Sequence, residues 1–550
     1  MQANFQKAMQ TNPHLKTYVK RFMKRGGDRP EFLASLPKDL DPENVNIIIP
    51  VGDPVFIHLY GTQKMGEAHY YAVEPQLTEN EQRKYEAIMD RILEDSAGEV
   101  VPESEKELKD TIEKLLNKIV EIGDGGELAE NIEGASLLQK LIPRKQTIPL
   151  TQAEYTHIHY HIERNIVGSG PIEPIIRDPY LEDIHSIGVS GVFIVHKILG
   201  MMKTDLTFGT EAGLDGWLRS MSERIGRPVS DAKPVADGAL PDGSRINIIY
   251  SLDVSKRGSS FTMRKFSDVP ISIIQLINWG AIDVNMAAYM WMCLENGMSV
   301  FFSGETASGK TTMLNACLAF VNPTSKIYTA EDTAEVQPPQ AVWQQLITRE
   351  DGPPESRVEM FTLLKAALRS RPNYIIVGEI RGEEGAVAFQ GMQTGHPVLA
   401  TFHASAVTKM IQRLTGNPIN VPVTFIDNLN VAMILQAVYR QGKFLRRCIS
   451  IEEIEGYFED AGGVVTRAVF QWEPESDTHS FRGLNNSFIL EDKIATKLGY
   501  EDKRQIYNDL FLRAKILEEM VKRDITDYHD VLKIIVNFYK YGVHGLPFSI

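Results

Sequence analysis

The sequence predicts an α/β protein whose C-terminal half is built on a parallel sheet, and three observations favour this class. From about residue 269 onward, apolar strand-like runs alternate with helical patterns. Residues 298–320 carry a glycine-rich strand–loop–helix motif. Two further apolar runs each end in a carboxylate, Glu331 and Glu379. Because parallel strands end at one edge of a sheet, we expect these groups to lie together there.

Length and composition indicate a globular protein of two to four domains, since 550 residues are too many for one core. The net charge of −14 argues against a general nucleic-acid binder, which would need a basic surface. No apolar run is long enough to predict a transmembrane helix, and the N-terminus does not resemble a signal peptide. The three scattered cysteines support neither a zinc ribbon nor a disulfide framework, so we expect a reducing cytosol.

The N-terminal part of the chain divides into two predicted segments. Residues 1–77 form an α+β extension, with strand-like runs at 45–50 and 54–60 on either side of a Val-Gly-Asp turn. Residues 78–150 are a helical segment and linker, in which apolar residues recur at helical spacing. The run from Pro143 to Pro149 is typical of a linker.

A second domain is predicted over residues 151–268 and a third over 269–550. The former begins at Thr151, a plausible helix N-cap, and contains strand-like runs at 191–195 and 245–250. The stretch from Ser267 to Pro270 indicates a hinge. The latter holds the α/β alternation and ends in amphipathic helices near 510–522 and 531–541.

A phosphate-binding loop is predicted where the sequence follows the pattern G-x-x-x-x-G-K-[ST]. Backbone N–H groups of such a loop surround an anion at the start of a helix, the lysine reaches the β/γ-phosphates, and the next hydroxyl can bind Mg²⁺. The alternative is a glycine-rich turn that only mimics the pattern. The predicted nucleotide-binding residues are Gly304, Thr306, Ala307, Ser308, Gly309, Lys310, Thr311 and Thr312.

Hydrolysis also needs a carboxylate that holds Mg²⁺ and orients or deprotonates water. Glu331 and Glu379 are the candidates for both roles, with Thr311 as a further metal ligand, and Gly378 stands where many P-loop enzymes carry aspartate. His396 and His403 flank a further strand-like run at 398–402. A γ-phosphate sensor and an inter-strand hydrogen bond are both open for these histidines.

In this order, the motifs at 304–311, 331–332, 377–382 and 394–403 resemble the Walker A, Asp, Walker B and His boxes of the secretion ATPase superfamily. That superfamily drives type II and type IV secretion, type IV pili and archaeal filaments. The resemblance implies a hexameric, Mg²⁺-dependent ATPase. It also implies that 151–268 form a PAS-like domain hinged to a RecA-like domain at 269–550, and that the glycine in Walker B is a family trait.

Shorter segments resemble the archaellum motor ATPase of archaea within that superfamily. They lie at 12–15, 50–55, 168–172, 258–266 and 414–420. This resemblance implies a homo-hexamer at the cytoplasmic face of the membrane, working with a polytopic platform protein and other filament-motor components. The implied task is filament assembly, and rotation is left open as a further task. An archaeal type IV pilus or type II secretion ATPase is the alternative; a nucleic-acid translocase and a nucleotide-gated scaffold are alternatives of different classes.

Arginines on the hinged domain are the candidates for stabilising charge on the γ-phosphate. The resemblance favours Arg245 and Arg264, and the options within the predicted RecA-like domain are Arg349, Arg369, Arg371 and Arg381. The ordinary alternative for each arginine is a surface ion pair. The spacing of His157 and His161 on a predicted helix also fits a zinc pair, but no third ligand is near, which favours a solvated helix face.

Overall fold

The structure, a computed structural model, describes residues 2–550 except 35, 38–39, 101, 103, 124–146, 266–268, 350–353, 441–442 and 461. The chain divides into two compact units, residues 1–266 and 267–550. The first half of the predicted hinge, at 267–268, and the start of the predicted linker, at 143–146, lie outside the described residues.

Unit 1 combines helices with a large mixed sheet. Its helices are α1 (Gln2–Thr11), α2 (Pro13–Lys24), α3 (Glu79–Ser96), α4 (Glu105–Ile119), α5 (Gln152–Ile166), α6 (Glu173–Ile176) and α7 (Glu211–Arg224). Its strands are β1 (Glu31–Phe32), β2 (Asn44–Pro50), β3 (Phe56–Thr62), β4 (Ala68–Val73), β5 (Val120–Ile122), β6 (Ile148–Leu150), β7 (Leu181–Ile187), β8 (Val192–His196), β9 (Gly200–Thr204), β10 (Val235–Ala239), β11 (Arg245–Ile249) and β12 (Ser260–Arg264).

Ten strands in the described part of unit 1 form one sheet, in the order β1-β2-β3-β4-β9-β8-β7-β12-β11-β10. The N-terminal strands therefore continue the sheet of residues 181–264. The junction is short: β4 and β9 run parallel and pair His69 with Lys203 and Tyr70 with Thr204. The buried Tyr70 hydroxyl also donates a 2.8 Å hydrogen bond to Asp178.

Side-chain caps explain where two helices of unit 1 begin. Thr78 and Thr151 each accept from the backbone N–H three residues on, and the carboxylate at that position, Glu81 or Glu154, accepts from the N–H of the cap residue. Such a capping box satisfies two backbone donors that the helix leaves unpaired. The predicted N-cap at Thr151 and the predicted strands at 45–50, 191–195 and 245–250 are confirmed to within one or two residues.

The prediction of a solvated histidine face on α5 is wrong. His157 Nδ1 lies 2.9 Å from Glu81 Oε1, and His161 is buried with Nε2 2.9 Å from the Pro75 carbonyl oxygen. This face therefore packs against the first turn of α3 and the residues before it. The apolar residues of α5 beside it belong to a hydrophobic core shared with α3 and α4. Among the described residues no group of three or more metal-ligating side chains is present.

Unit 2 is a layered α/β structure. Its helices are α8 (Ile273–Asn278), α9 (Val284–Glu295), α10 (Lys310–Cys317), α11 (Met360–Ser370), α12 (Glu384–Gln393), α13 (Val407–Thr415), α14 (Thr496–Leu498), α15 (Ile506–Lys522) and α16 (Tyr528–Tyr541). Its strands are β13 (Val300–Gly304), β14 (Lys326–Glu331), β15 (Val342–Ile347), β16 (Tyr374–Ile380), β17 (Val398–Phe402), β18 (Val431–Arg440), β19 (Lys443–Phe458), β20 (Gly463–Glu473) and β21 (Thr478–Phe481).

The sheet of unit 2 has the order β15-β14-β16-β17-β13-β18-β19-β20-β21 over the described residues. From β15 to β18 the strands run parallel, as predicted, and β18 to β21 then add antiparallel pairs that were not predicted. Helices cover both faces, α9 and α15 on one and α11 to α13 on the other. This double covering explains why β13 and β17 are apolar and fully buried.

No helix in the described part of the chain combines the length and the apolar character that crossing a bilayer requires.

Candidate functional site

The glycine-rich loop joins the end of β13 to the start of α10. Gly304 closes the strand, and a Cβ at this position would lie 2.2 Å from the carbonyl oxygen of Leu435, so no larger residue fits. Gly309 and Ala307 have φ of 87° and 61°. These left-handed conformations curl the backbone before the helix, which is the arrangement that turns successive N–H groups toward an anion.

Lys310 is the first residue of α10, at the end of the loop, and its side chain is buried. Its ammonium group donates to the carbonyl oxygens of Gly304 and Glu305, at 3.1 and 2.9 Å. Burial lowers the pKa of Lys310, and the charges of Glu379 and Glu335 act against that effect. The structure thus places a buried cation beside two carboxylates at the carboxyl edge of the sheet. Thr311 and Thr312 follow on the first turn of α10, both half-buried.

Glu379, near the end of β16, is the carboxylate held between two basic groups. Its Oε2 accepts from Arg381 at 2.6 Å, and its Oε1 lies 3.2 Å from His403 Nε2. Burial favours the neutral carboxyl, but the Arg381 hydrogen bond and the charges of Arg381, His403 and Lys310 outweigh it and lower the pKa of Glu379. Glu379 is therefore an ionised carboxylate at neutral pH.

A β-bulge sets the direction of Glu379. Val377 pairs with Ala400 and Glu379 with Thr401, so Gly378 is the extra residue in β16. The Thr401 hydroxyl donates to the Gly378 carbonyl oxygen at 2.5 Å, which fixes the bulge. Bulges of this kind re-aim the side chain that follows them.

His403 follows the last residue of β17, directly beside Glu379. Burial and the charge of Lys310 lower the pKa of His403, against the opposing effect of Glu379. The imidazole is therefore neutral at neutral pH. With its proton on Nε2 it donates to Glu379. The backbone carbonyl oxygen of His403 accepts from Arg413, whose guanidinium also stacks on Phe402.

Glu331 lies at the end of β14 but serves the loop that follows. Its side chain is fully buried. Oε1 accepts from the N–H groups of Glu335 and Val336 at 2.9 and 2.7 Å, and Oε2 from the Gln345 amide at 3.3 Å. Burial raises its pKa to about 7 despite these bonds. Oε1 thus shapes residues 332–336, and Oε2 is occupied by Gln345 of β15.

The remaining predicted residues belong to other elements. Arg245 and Arg264 are direct cross-strand partners in unit 1, and they form ion pairs with Asp237 at 2.8 Å and Asp183 at 3.2 Å. His396 precedes β17 and contacts the Thr394 hydroxyl at 3.1 Å, a full strand away from His403. Lys310, Glu379 and His403 are therefore the predicted groups that the structure brings together.

Two neighbours of the loop were not predicted as site residues. The charge of Glu335 acts against the lowering of the Lys310 pKa. Arg446 donates from Nε to the carbonyl oxygen of Ala307 at 2.9 Å. The sequence carries a signal for Glu335, because this residue follows the end of β14 by four residues. Nothing local to Arg446 connects it to the loop, since strand pairing alone brings it there.

Comparison with known proteins adds a family and several relatives. The model of the family described as "Type II/IV secretion system protein" matches residues 165–467. An uncharacterised protein of Methanocaldococcus jannaschii is 55% identical over 100% of this chain and 99% of its own length. The type IV secretion system protein VirB11 of Bartonella quintana is 27% identical over 34% of this chain and 62% of its own. The X-ray structure of the Legionella pneumophila ATPase DotB is 17% identical, covers 66% of this chain and 93% of that chain, and has a TM-score of 0.38.

Proposed function

This chain belongs to the type II/IV secretion system protein family, and from that premise we propose that it is a Mg²⁺-dependent ATPase that powers the archaellum. The observation that carries the enzymatic part is the cluster of Lys310, Glu379 and His403 at the carboxyl edge of the unit 2 sheet. A buried cation, an ionised carboxylate and a neutral imidazole beside a curled glycine-rich loop are the groups that phosphoryl transfer to water requires.

Each residue of the cluster has a proposed task. The N–H groups of residues 304–312 and the Lys310 ammonium bind the β/γ-phosphates. Glu379 orients the attacking water and accepts its proton, since it is ionised and held on both oxygens. His403 keeps one of those oxygens in place through its 3.2 Å contact. We assign Glu331 to holding the loop 332–336 rather than to proton transfer, because its oxygens accept from that loop and from Gln345.

The donor set fits Mg²⁺. Mg²⁺ prefers hard oxygen ligands. The Thr311 hydroxyl is one such ligand, and the carboxylate of Glu379 is a second, with Glu331 as the alternative. When bound, Mg²⁺ neutralises charge on the phosphate oxygens.

We propose a homo-hexamer on the cytoplasmic face of the membrane. In it, Arg245 and Arg264 reach the γ-phosphate from a PAS-like domain (151–268) hinged to a RecA-like domain (269–550). Their exposed ion pairs support this proposal, because they can exchange a carboxylate for a phosphate at little cost. A polytopic membrane platform and the other filament-motor components are the proposed partners.

The resemblance of the N-terminal segments at 12–15 and 50–55 supports the archaellum over an archaeal pilus or type II secretion system. Deletion of the gene should remove archaella, counted by electron microscopy, and leave pili present. Loss of pili with archaella retained would contradict this part of the proposal.

The activity is tested by steady-state phosphate release from ATP with Mg²⁺. Lys310→Ala should reduce release to background, because the buried cation at the phosphates is lost. Wild-type rates in that variant would overturn the assignment. Strong stimulation by single-stranded DNA, with none from lipid vesicles, would instead favour a nucleic-acid translocase.

A further inference from the structure

Two aromatic side chains stand exposed where β18 turns into β19. Tyr439 is 81% exposed and Phe444 is 43% exposed. Their rings pair edge to face, with centroids 5.1 Å apart. We call this pair the aromatic platform. Single exposed aromatic residues are ordinary on protein surfaces. A role for the platform is therefore inferred from the residues that lie beside it.

The platform lies beyond the end of β13, the strand that leads into the glycine-rich loop. β18 runs parallel to β13 with Leu435 opposite Gly304, and it continues to Arg440 while β13 stops. Tyr439 is thus four residues further along, roughly 13 Å at the usual rise per residue. Tyr439 pairs with Phe444, and Ala437 pairs with Arg446. Since side chains two residues apart share a face, Tyr439, Phe444 and Arg446 lie on the same face.

Arg446 connects this face to the loop. Its Nε donates to the Ala307 carbonyl oxygen at 2.9 Å, and its Cδ lies 3.4 Å from where a Cβ of Gly309 would stand. Its guanidinium lies over the Phe444 ring at 5.2 Å from the centroid. An unbroken series of contacts therefore runs from the phosphate-binding backbone through Arg446 and Phe444 to Tyr439.

We propose that the aromatic platform binds the purine base of the nucleotide whose phosphates occupy the P-loop, with Arg446 beside its ribose. This proposal rests on the proposed function, because it needs phosphate at the loop. A base presents a flat π-face to aromatic rings, and arginine adds a cation–π contact. A purine is favoured over a pyrimidine because it offers the larger stacking area.

The test compares ligands with and without a base. The dissociation constants of ADP, ATP and inorganic tripolyphosphate are measured by calorimetry for the wild type, Tyr439→Ala, Phe444→Ala and Tyr439→Phe. The matched control is Tyr541→Ala, which removes another exposed tyrosine of unit 2. We expect Tyr439→Ala and Phe444→Ala to weaken ADP and ATP by roughly tenfold and to leave tripolyphosphate unchanged. Tyr439→Phe and Tyr541→Ala should bind ADP and ATP as the wild type does.

A second readout is direct. In Tyr439→Trp, fluorescence should be quenched by ATP and ADP beyond the wild-type response, and not by tripolyphosphate. Equal affinity of Tyr439→Ala and wild type for ATP would overturn the proposal. So would an equal loss for tripolyphosphate, which would mean that the hairpin only supports the loop.

Two further outcomes are distinguishable. If Tyr439→Ala changes the oligomeric state in light scattering but not ATP affinity, the platform contacts a second copy and the base assignment fails. If the wild type binds neither ATP nor tripolyphosphate, the proposed function fails and the platform assignment with it.

Discussion

A Cβ at position 378 would lie 3.2 Å from Cγ of Glu331, so Gly378 and Glu331 fill one space between neighbouring strands. Glu331 cannot withdraw, because both of its oxygens accept hydrogen bonds. The glycine at the Walker B position is thereby explained by packing: the buried side chain of β14 occupies the room that an aspartate in β16 would need.

Gly378→Ala should therefore reduce the free energy of unfolding of unit 2 by about 1–3 kcal/mol, the usual cost of an overpacked core. The measurement is chemical denaturation followed by circular dichroism. The matched control is Gly463→Ala in β20, where a Cβ meets nothing within 4 Å. If both variants unfold at the same denaturant concentration, the contact with Glu331 does not limit position 378.

Glu331 should make stability fall as pH rises from about 4.5 to about 7. Its pKa is raised from 4.5 to about 7 by burial, so in this range the folded protein still holds a proton that the unfolded chain has lost. Glu331→Gln carries no such proton. Across this window the variant should gain about 3 kcal/mol relative to the wild type. Urea denaturation at a series of pH values measures the difference, and a difference that stays constant would contradict the prediction.

Glu379→Gln should lower kcat for ATP by roughly 10²–10⁴-fold, the usual loss on removing a general base, while ATP binding is retained. Glu335→Gln is the matched comparison, since Glu335 also acts on the charge of Lys310. Glu335→Gln should lower kcat by less than about tenfold, because a charge effect on Lys310 is weaker than the loss of a base. Phosphate release and calorimetry give the two quantities. Equal losses of kcat in both variants would mean that Glu379 acts only through its charge.

Arg245→Ala should lower kcat by roughly 10³-fold, as the loss of an arginine at the γ-phosphate does. Its ion pair with Asp237 is exposed, so stability should change by less than about 1 kcal/mol. Asp237→Asn weakens the same pair and keeps the arginine, and it should retain activity. If the two variants lose activity equally, the ion pair matters rather than the arginine.

The loop and the strands were predictable because their signals are local. A glycine-rich motif between an apolar run and a helical pattern led to Lys310, and apolar runs ending in carboxylates led to Glu331 and Glu379. What sequence could not separate was the role of these two carboxylates. Their roles differ because the fold brings a different partner to each carboxylate. Gln345 of β15 donates to Glu331, and His403 at the end of β17 contacts Glu379.

The position of Arg446 could not be predicted from the sequence either, because it depends on strand pairing. Its place beside Ala307 depends on β18 extending past β13 and on the hairpin pairing that follows. No local pattern fixes that pairing, because register is set by the packing of whole strands. The antiparallel strands β19 to β21 were missed for this reason also.

The short junction between β4 and β9 has a mechanical consequence. Hydrogen bonds that run side by side share a load, and here the sheet of unit 1 is joined by the pairs His69–Lys203 and Tyr70–Thr204. The neighbouring pairing of β3 with β4 is three times as long, from Phe56 with Val73 to Gly61 with Ala68. Tension applied between β2 and β9 would therefore divide the sheet at this junction, where the Tyr70–Asp178 hydrogen bond is a further, buried connection. The strength of that junction sets the largest force that residues 1–77 can pass to the rest of unit 1 through the sheet.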